Sequence, residues 1–172
     1  MIRIFRQILR TGIVTEPVTV DRDEGELIEV CTELEAGIKK LFHGSLTIRQ
    51  VDAGSCNGCE LEIHAVNNSF YNCERYGVHF TASPRFADML LVTGPVTRNM
   101  EVALRRTVEA TPTPRLVVAM GDCGCTGGVF GESYASLGAV SKAVPVDVLI
   151  PGCPLTPTAT LKGILAAVNT RR

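Results

Sequence analysis

Leu46–Cys59 reads LTIRQVDAGSCNGC: a short apolar-rich run, a glycine-bearing turn and a C-x-x-C pair. Two further stretches likewise run from an apolar segment through a glycine to a cysteine. Leu116–Cys123 reads LVVAMGDC, and Val146–Cys153 reads VDVLIPGC. Asp88–Val92 is another apolar run of strand length followed by a glycine turn. Helical stretches lie between these runs, over Glu60–Phe70, Asn99–Glu109 and Thr158–Val168. Continuous apolar strands that alternate with helices imply a parallel sheet covered on both faces. In an open parallel sheet the carboxyl ends of the strands share one edge, and sites form there. The topology therefore brings Cys56, Cys59, Cys123 and Cys153 to one rim from distant parts of the chain.

Upstream, Leu27, Val30, Leu34, Ile38 and Leu41 form one stripe of a helix predicted over Leu27–Phe42, which Gly44 breaks. Before it, Ile2, Phe5, Ile8 and Leu9 recur at helical spacing with Arg3, Arg6 and Arg10 on the other side. This predicts a short basic amphipathic helix, then an extended arm over Thr15–Gly25. The helix would dock on a neighbouring subunit or on its own core. Contact with a membrane surface or membrane subunit is the alternative, although one short helix binds lipid only weakly. The organisation read from the sequence is thus an N-terminal arm and helix (1–44) packing on partner subunits and an α/β domain (45–172). No internal repeat, low-complexity segment or domain linker interrupts it.

The apolar share of 45% in 172 residues is enough to close one core. A net charge of -1 argues against a nucleic-acid binder. Seven cysteines are more than packing needs, and the odd number argues against a closed disulfide framework. Metal or redox chemistry in a reducing compartment is the better reading. No apolar run reaches the ~18 residues of a membrane span, and the arginines of the first ten residues interrupt any signal segment. The expectation is a cytoplasmic protein that does not cross a membrane by itself.

Four thiolates suit an iron–sulfur cluster or a zinc ion. Structural zinc sites usually pair two local knuckles, and only one local pair exists here. Each cysteine loop also carries glycine, so backbone N–H groups can approach cluster sulfurs closely. A helix beginning near Cys59 would point its positive end at an anionic centre. A thioredoxin-like dithiol at Cys56 and Cys59 is the other reading of the pair; it leaves Cys123 and Cys153 unexplained. Cys125 rivals Cys123, which is preferred because it comes first off its strand. Cys31 reads as a small buried hydrophobe, and Cys73 as either surface or core. Glu60 and Glu62 read as charges favouring a helix N-terminus, with proton transfer by Glu60 at a subunit boundary as the alternative. Asp122 reads as a loop hydrogen-bonder. No Walker loop is present, and no two of the three His residues stand at ligand spacing.

Four motifs in order carry a family resemblance: GSCNGCELE from Gly54, VTGPVT from Val92, GDCGCTGG from Gly121 and VDVLIPGCP from Val146. Over roughly Leu46–Val168 the chain resembles the cluster-bearing small subunit shared by complex I and membrane-bound [NiFe] hydrogenases. The resemblance implies a flavodoxin-like α/β fold and one [4Fe-4S] cluster on Cys56, Cys59, Cys123 and Cys153, which decides Cys123 against Cys125. Complex I subunits usually place the first two cysteines adjacent; here Asn57 and Gly58 separate them, as in the hydrogenase branch. The arm and the GDCGCTGG stretch are similar to small subunits of formate hydrogenlyase and hydrogenase-4 complexes. One departure is Leu155, where the family often has a second proline.

The resemblance further implies an electron relay. A [NiFe]-hydrogenase-like large subunit would lie against the cysteine edge, a ferredoxin-like iron–sulfur subunit would exchange electrons with the cluster, and membrane subunits would complete the complex at the cytoplasmic face of the cell membrane. The alternatives are the same relay in a complex I-like quinone or ferredoxin oxidoreductase without nickel, and a zinc-stabilised structural module.

Overall fold

The computed structural model describes residues 2–11 and 23–171. Most of the Thr15–Gly25 arm lies outside them; Asp23–Gly25 instead opens a helix. Helix α1 (Ile2–Thr11) matches the amphipathic reading, with Phe5, Leu9 and Arg3, Arg6 and Arg10 exposed. Helix α2 (Asp23–Leu41) carries the predicted stripe, and Leu27, Val30, Leu34 and Ile38 are buried. It stops where His43 and Gly44 take positive φ, 55° and 100°. Among the described residues, no helix is long and apolar enough to cross a membrane.

The α/β part begins with β1 (Leu46–Asp52) and α3 (Gly58–Val66). Next come β2 (Val78–Phe80), β3 (Met89–Thr93), β4 (Val96–Thr97) and α4 (Arg98–Ala110). Strand β5 (Leu116–Met120) leads into the short α5 (Gly121–Thr126), and then β6 (Ser136–Gly138), β7 (Val148–Ile150) and α6 (Pro157–Thr170) complete the chain. Five strands form one parallel sheet in the order β2-β1-β3-β5-β7. This is the flavodoxin-like order, with its switch point between β1 and β3. Strands β4 and β6 make a separate antiparallel pair.

Alternation along the strands builds two cores, because successive side chains face opposite sides. Leu46, Ile48, Met89, Leu91, Leu116, Val118, Met120 and Ile150 pack on one face with α2, α3 and α6. Val51, Leu90, Val92, Val117 and Ala119 pack on the other with α4 and the 3-10 turn Val140–Lys142. Helix α2 shares the first core, so residues 23–42 pack on the same sheet as the α/β part.

Several boundaries differ from expectation. The helix after the C-x-x-C ends at Val66 rather than Phe70, because the Asn68 side chain accepts the N–H groups of Phe70 and Tyr71 and turns the chain. Asp88 and Asp147 stand at strand entries rather than inside strands. Each carboxylate accepts a neighbouring strand's N–H, from Thr47 and Val117 respectively, in place of a ladder carbonyl. Strand β2, the β4/β6 pair and helix α5 have no counterpart in the sequence reading.

Candidate cluster site

The first cysteine loop leaves β1 through a turn built by Asp52. Its Oδ1 accepts the N–H groups of Gly54 and Ser55, both at 2.8 Å, as Asp does in turns. The Ser55 hydroxyl then accepts the Asn57 N–H at 3.2 Å. Asn57 takes φ +70 as helix α3 begins at Gly58. Cys59 therefore sits in the first turn of α3, where backbone N–H groups lack helical partners.

The second loop is a helix rather than an irregular turn. Strand β5 passes directly into α5, which carries both Cys123 and Cys125. Two positions along a helix are about 200° apart, so the two side chains diverge. Cys123 lines a cavity at the strand ends; the Cys125 sulfur instead lies 3.7 Å from the carbonyl of Ala119. The third loop, Pro151-Gly152-Cys153, follows β7 and ends in a cis Cys153–Pro154 peptide.

Cys56, Cys59, Cys123 and Cys153 all border this cavity, with Gly121 and Pro154 between them. The cavity has a volume of about 50 Å³. Cys56 and Cys153 are exposed, while Cys59 and Cys123 are half-buried. The sulfurs feel one another. Burial first, and then its negative neighbours, push Cys59 up to about 11, against a lowering hydrogen bond from the Leu155 backbone. Those neighbours are Glu60, Cys56 and Cys123. Burial also raises Cys123, with Cys153, Cys56 and Asp122 adding to the shift. Leu155, the departure from the family pattern, thus supplies an N–H that proline lacks.

The cradle fits a multi-atom group. A side chain at Gly121 would meet the Cys59 sulfur at 2.8 Å, and one at Gly128 would meet the Cys123 sulfur at 2.8 Å. Among the described residues, no three His, Cys, Asp or Glu side chains are placed to hold a single metal ion. The four thiols line one cavity, and an all-thiolate donor set suits iron–sulfur chemistry.

The other cysteines are internal. Cys31 and Cys73 are fully buried, and the Cys73 thiol donates to Asn67 Oδ1 at 2.7 Å. Glu60 lies in the first turn of α3, in keeping with its helix-end reading, and it is buried there. It is 5% exposed, and neither carboxylate oxygen has a hydrogen-bond partner. Sequence gives no signal for this, since its position in the first turn is where an exposed acidic residue is also favoured.

Beside the cavity, residues 127–135 form a braced loop. Gly131 N–H donates to the Gly127 carbonyl, Arg98 Nε donates to the Tyr134 carbonyl, and Lys142 pairs with Glu132. The loop holds Val129, Phe130 and Tyr134 exposed.

The family described as "NADH ubiquinone oxidoreductase, 20 Kd subunit" matches residues 56–167, a span containing all four rim cysteines. Formate hydrogenlyase subunit 7 of Escherichia coli is 42% identical over 89% of this chain. The chain spans just 57% of that relative's length. The probable membrane-bound hydrogenase subunit mbhJ of Pyrococcus furiosus is 43% identical over 78% of this chain and 80% of its own. A solved structure of the membrane-bound sulfane sulfur reductase, an archaeal respiratory membrane complex, contains a chain that is 33% identical with a TM-score of 0.65. That match covers 79% of this chain and 73% of the other. On this evidence the chain belongs to the family of the 20 Kd subunit of NADH ubiquinone oxidoreductase.

Proposed function

We propose that the chain is the electron-relay small subunit of a membrane-bound hydrogenase of the formate hydrogenlyase type. It would hold one [4Fe-4S] cluster on Cys56, Cys59, Cys123 and Cys153. The observation that carries this reading is the meeting of those four thiols around one cavity at the carboxyl edge of the sheet. Likeness to formate hydrogenlyase subunit 7 and to a membrane-bound hydrogenase subunit selects the hydrogenase branch. The single local cysteine pair and the glycines pressed against the Cys59 and Cys123 sulfurs favour a cluster over a structural zinc ion.

A bound cluster supplies one-electron transfer. The chain's own residues set its surroundings: Leu155 donates a backbone N–H toward Cys59, and α3 directs its amino end at the cavity, where its positive pole favours thiolate charge. A [NiFe]-type large subunit would cover the exposed Cys56 and Cys153, together with Val129, Phe130 and Tyr134. Excluding water there matters because exposure and hydrogen bonding set the potential. A ferredoxin-like subunit would exchange electrons with the relay. Helix α1, with its exposed arginines and apolar side chains, would pack on partner subunits at the cytoplasmic face of the membrane.

Metal analysis and EPR of the purified complex test this. The expected result is a brown complex with a reducible EPR signal that disappears on Cys123→Ser but survives Cys125→Ser. Stoichiometric zinc without iron would end the relay reading. The match to the 20 Kd subunit of NADH ubiquinone oxidoreductase supports a second reading, the same relay in a complex I-like quinone or ferredoxin oxidoreductase without nickel. Nickel content of the purified complex separates the two.

A further inference from the structure

The Cys123 and Cys153 loops are tied together by the residues immediately before each cysteine. Asp122 donates its backbone N–H to the Gly152 carbonyl at 2.8 Å. In return, Asp122 Oδ1 accepts the Gly152 N–H, also at 2.8 Å, across a separation of 30 positions. The two bonds close a ring, and both residues line the cavity.

Sheet pairing does not account for the second bond. The ladder between β5 and β7 runs through Val118–Val148, Ala119–Leu149 and Met120–Ile150, and stops there. Beyond it one chain coils into α5 and the other turns at Pro151, and the Asp122–Gly152 backbone bond is what carries the same 30-residue offset onward. The Asp122 side chain extends the pairing past the last ladder residue. Asp122 is itself held from the other side, because its carbonyl accepts the Thr126 hydroxyl at 3.0 Å.

We propose that Asp122 is a positioning residue that grips Gly152 and so fixes the spacing of the Cys123 and Cys153 sulfurs around the cavity. The role rests on the reading of the four cysteines as ligands of one cluster. What it requires is an acceptor oxygen at that point rather than a negative charge. Asparagine offers an amide oxygen at the same reach. Alanine offers none, and leaves the half-buried Gly152 N–H without its partner.

The test compares wild type, Asp122→Asn and Asp122→Ala in the full chain, purified within its complex. Wild type and D122N should share iron content, resistance to a chelator and EPR g values. D122A should hold iron about 10- to 100-fold more weakly, the usual cost of losing a group that orients a metal ligand, with altered g values in the cluster that remains. Wild-type behaviour of D122A overturns the clamp and leaves the ligand assignment standing. Failure of D122N to rescue overturns it also, since charge would then be the essential feature. If D122A does not assemble, hydrogen exchange at the Gly152 amide decides: protection in both wild type and D122N supports the clamp, and open-loop exchange in wild type removes it. An EPR signal that persists when Cys123 and Cys153 are both replaced by serine overturns the ligand reading, and the clamp with it.

Discussion

Gly121 faces the sulfur of Cys59 so closely that a methyl group on it would lie 2.8 Å from that atom. The same glycine has φ +84, a conformation L side chains rarely adopt. Gly121→Ala therefore carries two costs, backbone strain of about 1–2 kcal/mol and displacement of a proposed ligand. Gly131→Ala separates them, since Gly131 has φ +55 and open space around it. Both variants should lower thermal stability, but only G121A should lose iron and its EPR signal. Equal iron content in the two would show that the contact does not constrain the site.

The Leu155 N–H directed at Cys59 predicts an effect on potential. A donor to a ligand sulfur favours the reduced, more negative state, so it raises the reduction potential. Leu155→Pro removes the N–H and should lower the midpoint in a redox titration. Leu155→Met keeps the N–H, at a stability cost of less than about 1.5 kcal/mol for a volume-conserving swap. Its midpoint should match wild type. A midpoint that drops as far in L155M as in L155P would assign the effect to packing.

Legibility in the sequence followed the length and independence of each element. Leu116–Met120 was readable to the residue because five consecutive buried apolar side chains leave one interpretation. Strand β2 was not, because three residues with an exposed His79 carry no period. The four rim cysteines could be placed together from topology alone, since parallel strands share a carboxyl edge. Position favoured Cys123 over Cys125 only as the first cysteine off its strand. What makes their side chains diverge is α5 being helical, and Gly-Asp-Cys-Gly-Cys-Thr has a glycine-rich composition that reads as a loop. Its helical start coincides with the bonds between Asp122 and Gly152, a partner thirty residues away. The helix-end position of Glu60 was legible but its burial was not, for a similar reason: burial of a first-turn residue depends on what packs over it.

Stability of the iron-free chain should fall at high pH. Burial raises Cys59 and Cys73 to about 11 from an ordinary value of 9.0. A group raised in the folded state favours folding while it is protonated. That contribution is whole below pH 9 and is lost as pH climbs through 11. Denaturant unfolding at stepped pH should show the loss, and Cys73→Ala should reduce it. With iron bound Cys59 is already a thiolate, so its share should vanish and iron binding should release protons. A pH-independent midpoint over this range would contradict the assignment.

Glu60→Gln tests the buried carboxylate that has no partner. An amide costs less to bury than a charge. The variant should keep its cluster and its turnover and gain about 1 kcal/mol or more of stability, read as a rise in Tm. A fall in turnover with the cluster intact would instead give Glu60 a part in proton transfer.

The two cores close without any of the four rim thiols at their centre: Leu34, Ile48, Met89, Leu91 and Ile164 are fully buried on one side of the sheet and Leu90, Val92 and Leu104 on the other. Ligands contributed by three separate crossovers cannot gather until those crossovers are complete. On the proposed ligand set, folding would come first and metallation second, the reverse of a zinc finger, whose metal organises its fold. The polypeptide would then take its shape before iron and sulfide are delivered, and maturation would be a separate step from translation.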